Sequence, residues 1–157
     1  MLMDTIGERT PMLFAFALAL AAAGASAHGD DHPGAPYGRP GNPAKTSRTI
    51  AIDMSDSMRF TPALITARKG ETIRFALTNS GKVRHEMVLG SSKELKEHAA
   101  MMRKFPGMEH ADPNRLSVDP GKTGDLDWQF TRAGSFDFAC LQPGHFEAGM
   151  RGRIIVR

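Results

Sequence analysis

Residues 134–157 read GSFDFACLQPGHFEAGMRGRIIVR, and the alternation in this stretch decides the fold. Phe136, Phe138 and Cys140 share one parity, as side chains do on the buried face of a strand. A loop punctuated by Pro143, Gly144 and Gly149 follows, and Ile154-Ile155-Val156 supplies a final apolar strand. The same alternation recurs upstream. Ile50, Ile52 and Met54 share a parity, as do Ile73, Phe75 and Leu77, and again Leu126, Trp128 and Phe130. Turn residues separate these sets at Lys69-Gly70, Asn79-Ser80-Gly81, Asp119-Pro120-Gly121 and Ala133-Gly134. About six to eight short strands with such punctuation predict an all-β sandwich or barrel.

One segment departs from period two. Residues 91–105 (SSKELKEHAAMMRKF) carry Leu95, Ala99 and Met102 at helical spacing, with Ser91 or Ser92 to cap the start and Phe105-Pro106-Gly107 to end it. This predicts a short helix inserted between strands. At the N-terminus, residues 12–23 (MLFAFALALAAA) form an uncharged apolar run followed by Ala25-Ser26-Ala27, which predicts an export signal over 1–27 cut before His28. The run is shorter than the roughly 20 residues of a spanning helix, so the mature chain is expected in the periplasm without membrane insertion. Residues 28–47, rich in Gly, Pro and polar side chains, read as a flexible tail. That leaves one domain over 48–157.

Composition narrows the function classes. Hydrophobic residues make up 41% and charged ones 24%, which excludes a wholly disordered chain. The net charge of +3 is mild, and the Lys and Arg residues are scattered, which gives no footprint for nucleic acid. The single cysteine, Cys140, cannot close a disulfide within the chain. A monomer is expected.

The loop after Cys140 carries the chemistry. Cys140, His145 and Met150 follow a C-x4-H-x4-M spacing, and His85 shares its strand face with Met87 and Leu89. Strand parity therefore turns His85 and Cys140 towards the core at one end of the sandwich. Two imidazoles and a thiolate with a weak Met thioether form the donor set of blue-copper centres, in which soft sulfur suits Cu(I) and imidazole serves both oxidation states. A buried free thiol beside a surface histidine is the plain alternative. Zinc is another, although a thioether suits it poorly.

The sequence resembles the cupredoxin family of plastocyanin and azurin over about residues 48–157. The likeness rests on Phe60-Thr61-Pro62, Lys69-Gly70-Glu71-Thr72, Asn79-x-Gly81 before His85, and the Cys140-to-Met150 loop followed by Gly152 and Ile154-Ile155-Val156. The resemblance implies a Greek-key β-sandwich and one type 1 copper, with ligand roles on His85, Cys140, His145 and Met150. Two positions depart from the family pattern: Glu86 stands where Asn often follows the first His, and Leu141 stands where Ser or Thr commonly follows Cys. Both bear on the hydrogen bonds around the ligands. Within the family, the His-rich start expected after cleavage and the Met-rich insertion most resemble small bacterial periplasmic proteins linked to copper tolerance.

Accessory copper could bind Met101, Met102 and Met108 with His98 and His110, or the tail residues His28 and His32; core packing and a solvated tail are the plain alternatives. Lys82, Arg84, Arg151 and Arg153, near the ligands in sequence, could steer an acidic periplasmic redox partner. Two functions share the main site: copper handling for tolerance, and one-electron transfer between larger partners. An oxidase with further coppers is disfavoured by the absence of any His-x-His pair, and a binuclear thiolate-bridged centre by the single Cys140. Weak oxidation of Cu(I) would need no substrate pocket.

Overall fold

The computed structural model describes residues 35–108 and 112–157. The expected signal at 1–27 and the candidate ligands His28, His32 and His110 lie outside the described residues. Among the described residues the strands are β1 (Arg39–Pro40), β2 (Arg48–Ser55), β3 (Arg59–Thr61), β4 (Leu64–Ala67), β5 (Thr72–Asn79), β6 (His85–Gly90), β7 (Arg115–Val118), β8 (Thr123–Gln129), β9 (Gly134–Ala139) and β10 (Arg151–Val156). They form two five-stranded sheets, ordered β1-β8-β5-β2-β3 and β4-β10-β9-β6-β7. Most neighbours are antiparallel, but β2 runs parallel to β5 and β10 parallel to β4, as Greek-key crossovers between sheets require. The strands exceed the expected six to eight because β1 and β3 are too short to show a period in sequence.

The parity sets meet between the sheets. Ile52, Met54, Ile73, Phe75, Leu77, Leu126 and Trp128 bury from one side, and Met87, Leu89, Phe138, Ile154 and Val156 from the other. Phe60 crosses to Phe138 edge-on, with ring centroids 4.9 Å apart.

The predicted insertion is helix α1 (Ser92–Lys104). Ser91 accepts from the Glu94 N–H while the Glu94 side chain reaches back to the Ser91 N–H, a capping box that fixes the start. Leu95, Ala99 and Met102 pack against Val88, Ala139 and Leu141 on the outer face of β6 and β9. Every residue of β6 is consequently buried. The helix thus keeps water from the back of the two strands that carry His85 and lead to Cys140.

The reading of 28–47 as a flexible tail does not describe residues 35–47. Tyr37 is buried, its ring stacked on Trp128 at 5.7 Å, and its carbonyl accepts from the Trp128 indole N–H at 3.3 Å. Arg39 and Pro40 pair with β8, and Asn42 caps a 3-10 turn at Pro43–Lys45. A tyrosine buries at least about 150 Å², worth roughly 4 kcal/mol at about 25 cal/mol per Å². One aromatic therefore outweighs the Gly and Pro around it, and Pro40 is tolerated because an edge strand needs no donor there.

Candidate metal centre

His85 opens β6, Cys140 directly follows β9, and Met150 directly precedes β10. The loop from Cys140 to Met150 is closed at its base by the Cys140 N–H on the Met150 carbonyl at 3.1 Å. Within it, His145 N–H donates to Gln142 O at 2.9 Å and Met150 N–H to His145 O at 3.0 Å. Gly144 and Gly149 adopt φ of 86° and 93°, the left-handed region that glycine enters at least cost. Outside contacts pin the loop. Arg59 donates to Ala148 O at 3.0 Å, Arg103 of α1 pairs with Glu147 at 3.3 Å, and Arg151 lies 4.8 Å over the Phe146 ring.

The structure brings three of the expected ligands together. Donor atoms of His85, Cys140 and His145 lie within 4.8 Å of one another, with Cys140 Sγ 3.3 Å from His145 Nδ1. Atoms bound about 2.0–2.3 Å from one ion stand roughly 3–4 Å apart, so the cluster has the size of a mononuclear site. Met150 is fully buried in the same core. His85 and Cys140 have no exposure, whereas His145 is half-buried, so the cluster reaches the surface at the His145 ring.

The donors' electrostatics fit a metal. Burial pushes the Cys140 thiol up to about 12, opposed in part by backbone N–H groups of Gln142 and Glu86. Without metal the sulfur therefore keeps its proton, and metal binding must release it. Burial, and then the adjacent His85 ring, lower the pKa of His145, which keeps a lone pair available. His85 Nδ1 is buried without a hydrogen-bond partner. Its Nε2 lies 3.2 Å from Asp56 Oδ1. The Lys82 N–H, chiefly, lowers the Asp56 pKa, with the His85 contact adding to it. An ionised carboxylate only accepts, so an Nε2–H donating to Asp56 leaves Nδ1 as the nitrogen that faces an ion. An orphan buried nitrogen beside a thiol and a second imidazole is the donor set a copper ion satisfies.

Glu86 resolves the departure from the family pattern. Its carboxylate is fully buried and accepts from Leu141 N–H at 3.2 Å, Ser117 Oγ at 3.0 Å and Arg115 Nη2 at 2.5 Å. It thereby ties the strand of His85 to the backbone directly after Cys140. Neither Asp56 nor the Glu86–Arg115–Ser117 group was singled out as a site from sequence. Asp56, in Ser55-Asp56-Ser57, reads only as a turn former, and Glu86 offered only its odd identity after a histidine.

The remaining candidates are dispersed. Met102 is on the buried face of α1, Met101 is exposed, and His98 is half-buried. Met102 and Met108 do line one cleft of about 180 Å³, but Arg84 and Arg115 line it too, and two guanidiniums disfavour a cation. Of the four basic residues near the ligands, Arg84 pairs with Asp119 at 3.5 Å and Arg153 with Asp137 at 3.2 Å, while Arg151 covers Phe146.

The sandwich and its buried sulfur–imidazole cluster define a copper protein of the blue type, and the family model for copper-binding proteins of the plastocyanin/azurin family matches residues 47–157. The chain belongs to that family: it is a copper-binding cupredoxin, and its cofactor is a type 1 copper. Within the family it is related to proteins named copper-resistant cuproprotein CopI. The one from Rubrivivax gelatinosus is 57% identical over 135 residues, covering 86% of this chain and 80% of that protein. The one from Pseudomonas aeruginosa is 36% identical, covering 85% and 90%. Among solved structures, dithionite-reduced auracyanin from Roseiflexus castenholzii matches with a TM-score of 0.61 at 20% identity, covering 71% of this chain and 98% of that one. An azurin from Methylomonas sp. strain J matches with a TM-score of 0.57 at 17% identity, covering 71% and 99%. At such identities the structural likeness carries the fold alone. No helix among the described residues is long and apolar enough to cross a membrane.

Proposed function

We propose that the protein is an exported, periplasmic copper-tolerance protein whose single redox-active copper is held by His85, Cys140 and His145, with Met150 as the weak fourth ligand. The observation that carries this reading is the cluster of three donor atoms within 4.8 Å, two of its residues fully buried. Bound copper supplies one-electron exchange between Cu(II) and Cu(I). The chain does the rest. Cys140 gives up its proton on binding, Asp56 holds the proton of His85 on Nε2, and Glu86 keeps the two ligand-bearing segments in register. Helix α1 and the sandwich exclude water from all but the His145 edge. The relatives named as copper-resistant support tolerance as the role, and the apolar run before Ala25-Ser26-Ala27 supports export. Accessory copper at Met101, Met102, Met108, His98, His110, His28 or His32 is not needed by this reading.

A second reading, a one-electron carrier between periplasmic partners, is favoured by the half-buried His145 ring flanked by exposed Pro143 and Gly144, an edge through which an electron can pass.

Growth in copper tests the choice. In a bacterium deprived of its own copper-resistant relative, the wild-type chain should restore growth and Cys140→Ser should not. Restoration by Cys140→Ser would detach tolerance from this centre, and no restoration by wild type would favour the carrier. Sequencing the exported protein should find His28 first; an uncut chain in the cytoplasm would contradict the localisation.

A further inference from the structure

We propose that Asp56 is a positioning residue of the metal centre, fixing the His85 ring in one tautomer and setting a full negative charge at the edge of the ring away from the free nitrogen. The inference rests on His85 being a ligand. Asp56 lies in the turn between β2 and β3, in one sheet, while His85 opens β6 in the other. Their contact at 3.2 Å bridges the two sheets at the ligand end. Both carboxylate oxygens are used. Oδ2 accepts the Lys82 N–H at 2.8 Å, and Oδ1 faces His85 Nε2 and the Val83 N–H, the latter at 3.5 Å.

The neighbouring turn is shaped around this contact. Asn79 accepts the Gly81 N–H at 2.9 Å and donates to the carbonyls of Val83 and Val118, each at 2.8 Å. A Cβ at Gly81 would stand 2.0 Å from Asp56 Oδ1 and 3.1 Å from His85 Nε2, so the position beside the contact has no room for a side chain. Partners of this kind orient a metal-bound imidazole and raise its basicity, and losing them typically costs about 10–100-fold in metal affinity. A charged acceptor, unlike a neutral one, also favours the more highly charged Cu(II). Asn at position 56 offers one acceptor oxygen where two are used, so the Lys82 N–H on Oδ2 and the His85 and Val83 nitrogens on Oδ1 cannot all keep an acceptor.

Two readouts on the full chain test this. In the metal-free, ¹⁵N-labelled protein, His85 should show only the Nε2–H tautomer, and Asp56→Ala should give a mixture. In the copper-loaded protein, Asp56→Asn should lower the ratio of Cu(II) to Cu(I) affinity by about tenfold, which is a rise in reduction potential of about 59 mV. A single unchanged tautomer in Asp56→Ala, or a ratio within about twofold of wild type in Asp56→Asn, would overturn the proposal. The tautomer is read without copper, so a failure of the ligand assignment shows separately, as a lack of blue colour. If Asp56→Ala does not fold, Asp56→Asn decides alone.

Discussion

Replacing Arg115 by Met should destabilise the metal-free protein by about 3 kcal/mol. The Arg115 side chain is 8% exposed, and its Nη2 meets Glu86 Oε2 at 2.5 Å, with Glu86 fully buried. Removing one partner of a buried ion pair costs about 3–5 kcal/mol, because the other charge is left uncompensated. Ser117 Oγ and the Leu141 N–H would still donate to Glu86, which places the cost at the lower end of that range. For a domain of this size, about 4 °C per kcal/mol gives a fall of roughly 12 °C in Tm. Glu86→Gln leaves Arg115 as the unpaired charge and should cost a similar amount. The double variant Arg115→Met/Glu86→Gln should recover about 2 kcal/mol of the summed losses, since residues in one ion pair are coupled. Urea unfolding of the four metal-free proteins, with unchanged m-values, measures this. Single costs below about 1 kcal/mol that add in the double variant would refute the claim that this pair locks the ligand segments.

Other expectations follow from the same contacts. The Cys140 thiol is raised from 9.0 to about 12 in the folded state, so its contribution to metal-free stability is full below pH 9 and is lost as pH rises through 12. The difference in unfolding free energy between wild type and Cys140→Ala, followed from pH 8 to 12, should shrink across that window; a flat difference would contradict burial of the neutral thiol. Gly81→Ala pushes at the Asp56 carboxylate rather than at backbone, so stability should fall by only about 1 kcal/mol while Cu(II) affinity falls about tenfold. Competition with a chelator reads the second effect. Tyr37→Ala should cost about 3 kcal/mol in chemical unfolding, as truncating a buried aromatic does; a cost near zero would restore the flexible-tail reading of this segment.

The sequence made the sandwich legible where each strand is long enough to show its period. Ile73, Phe75 and Leu77 bury and Arg74 does not, as alternation requires. The α1 insertion was equally readable, because a capping serine at 91 or 92, the Leu95–Ala99–Met102 stripe and the Phe105-Pro106-Gly107 stop are local signals. The approach of Cys140 to His145 was legible because both fall, with Met150, within one turn-rich segment. What escaped reading depends on contacts between distant residues. Glu86 and Arg115 lie 29 positions apart, as do Asp56 and His85, and no periodicity links a turn aspartate to a strand histidine in the opposite sheet. Tyr37 escaped for the same reason, since its partner Trp128 lies 91 positions away.

A visible absorption titration of the metal-free protein with Cu(II) tests the copper centre most directly. An intense thiolate-to-copper band should saturate at one equivalent, be absent in Cys140→Ser, and be unchanged in stoichiometry by Met101→Leu/Met102→Leu. No band, or one that survives in Cys140→Ser, would contradict a blue copper centre built on Cys140.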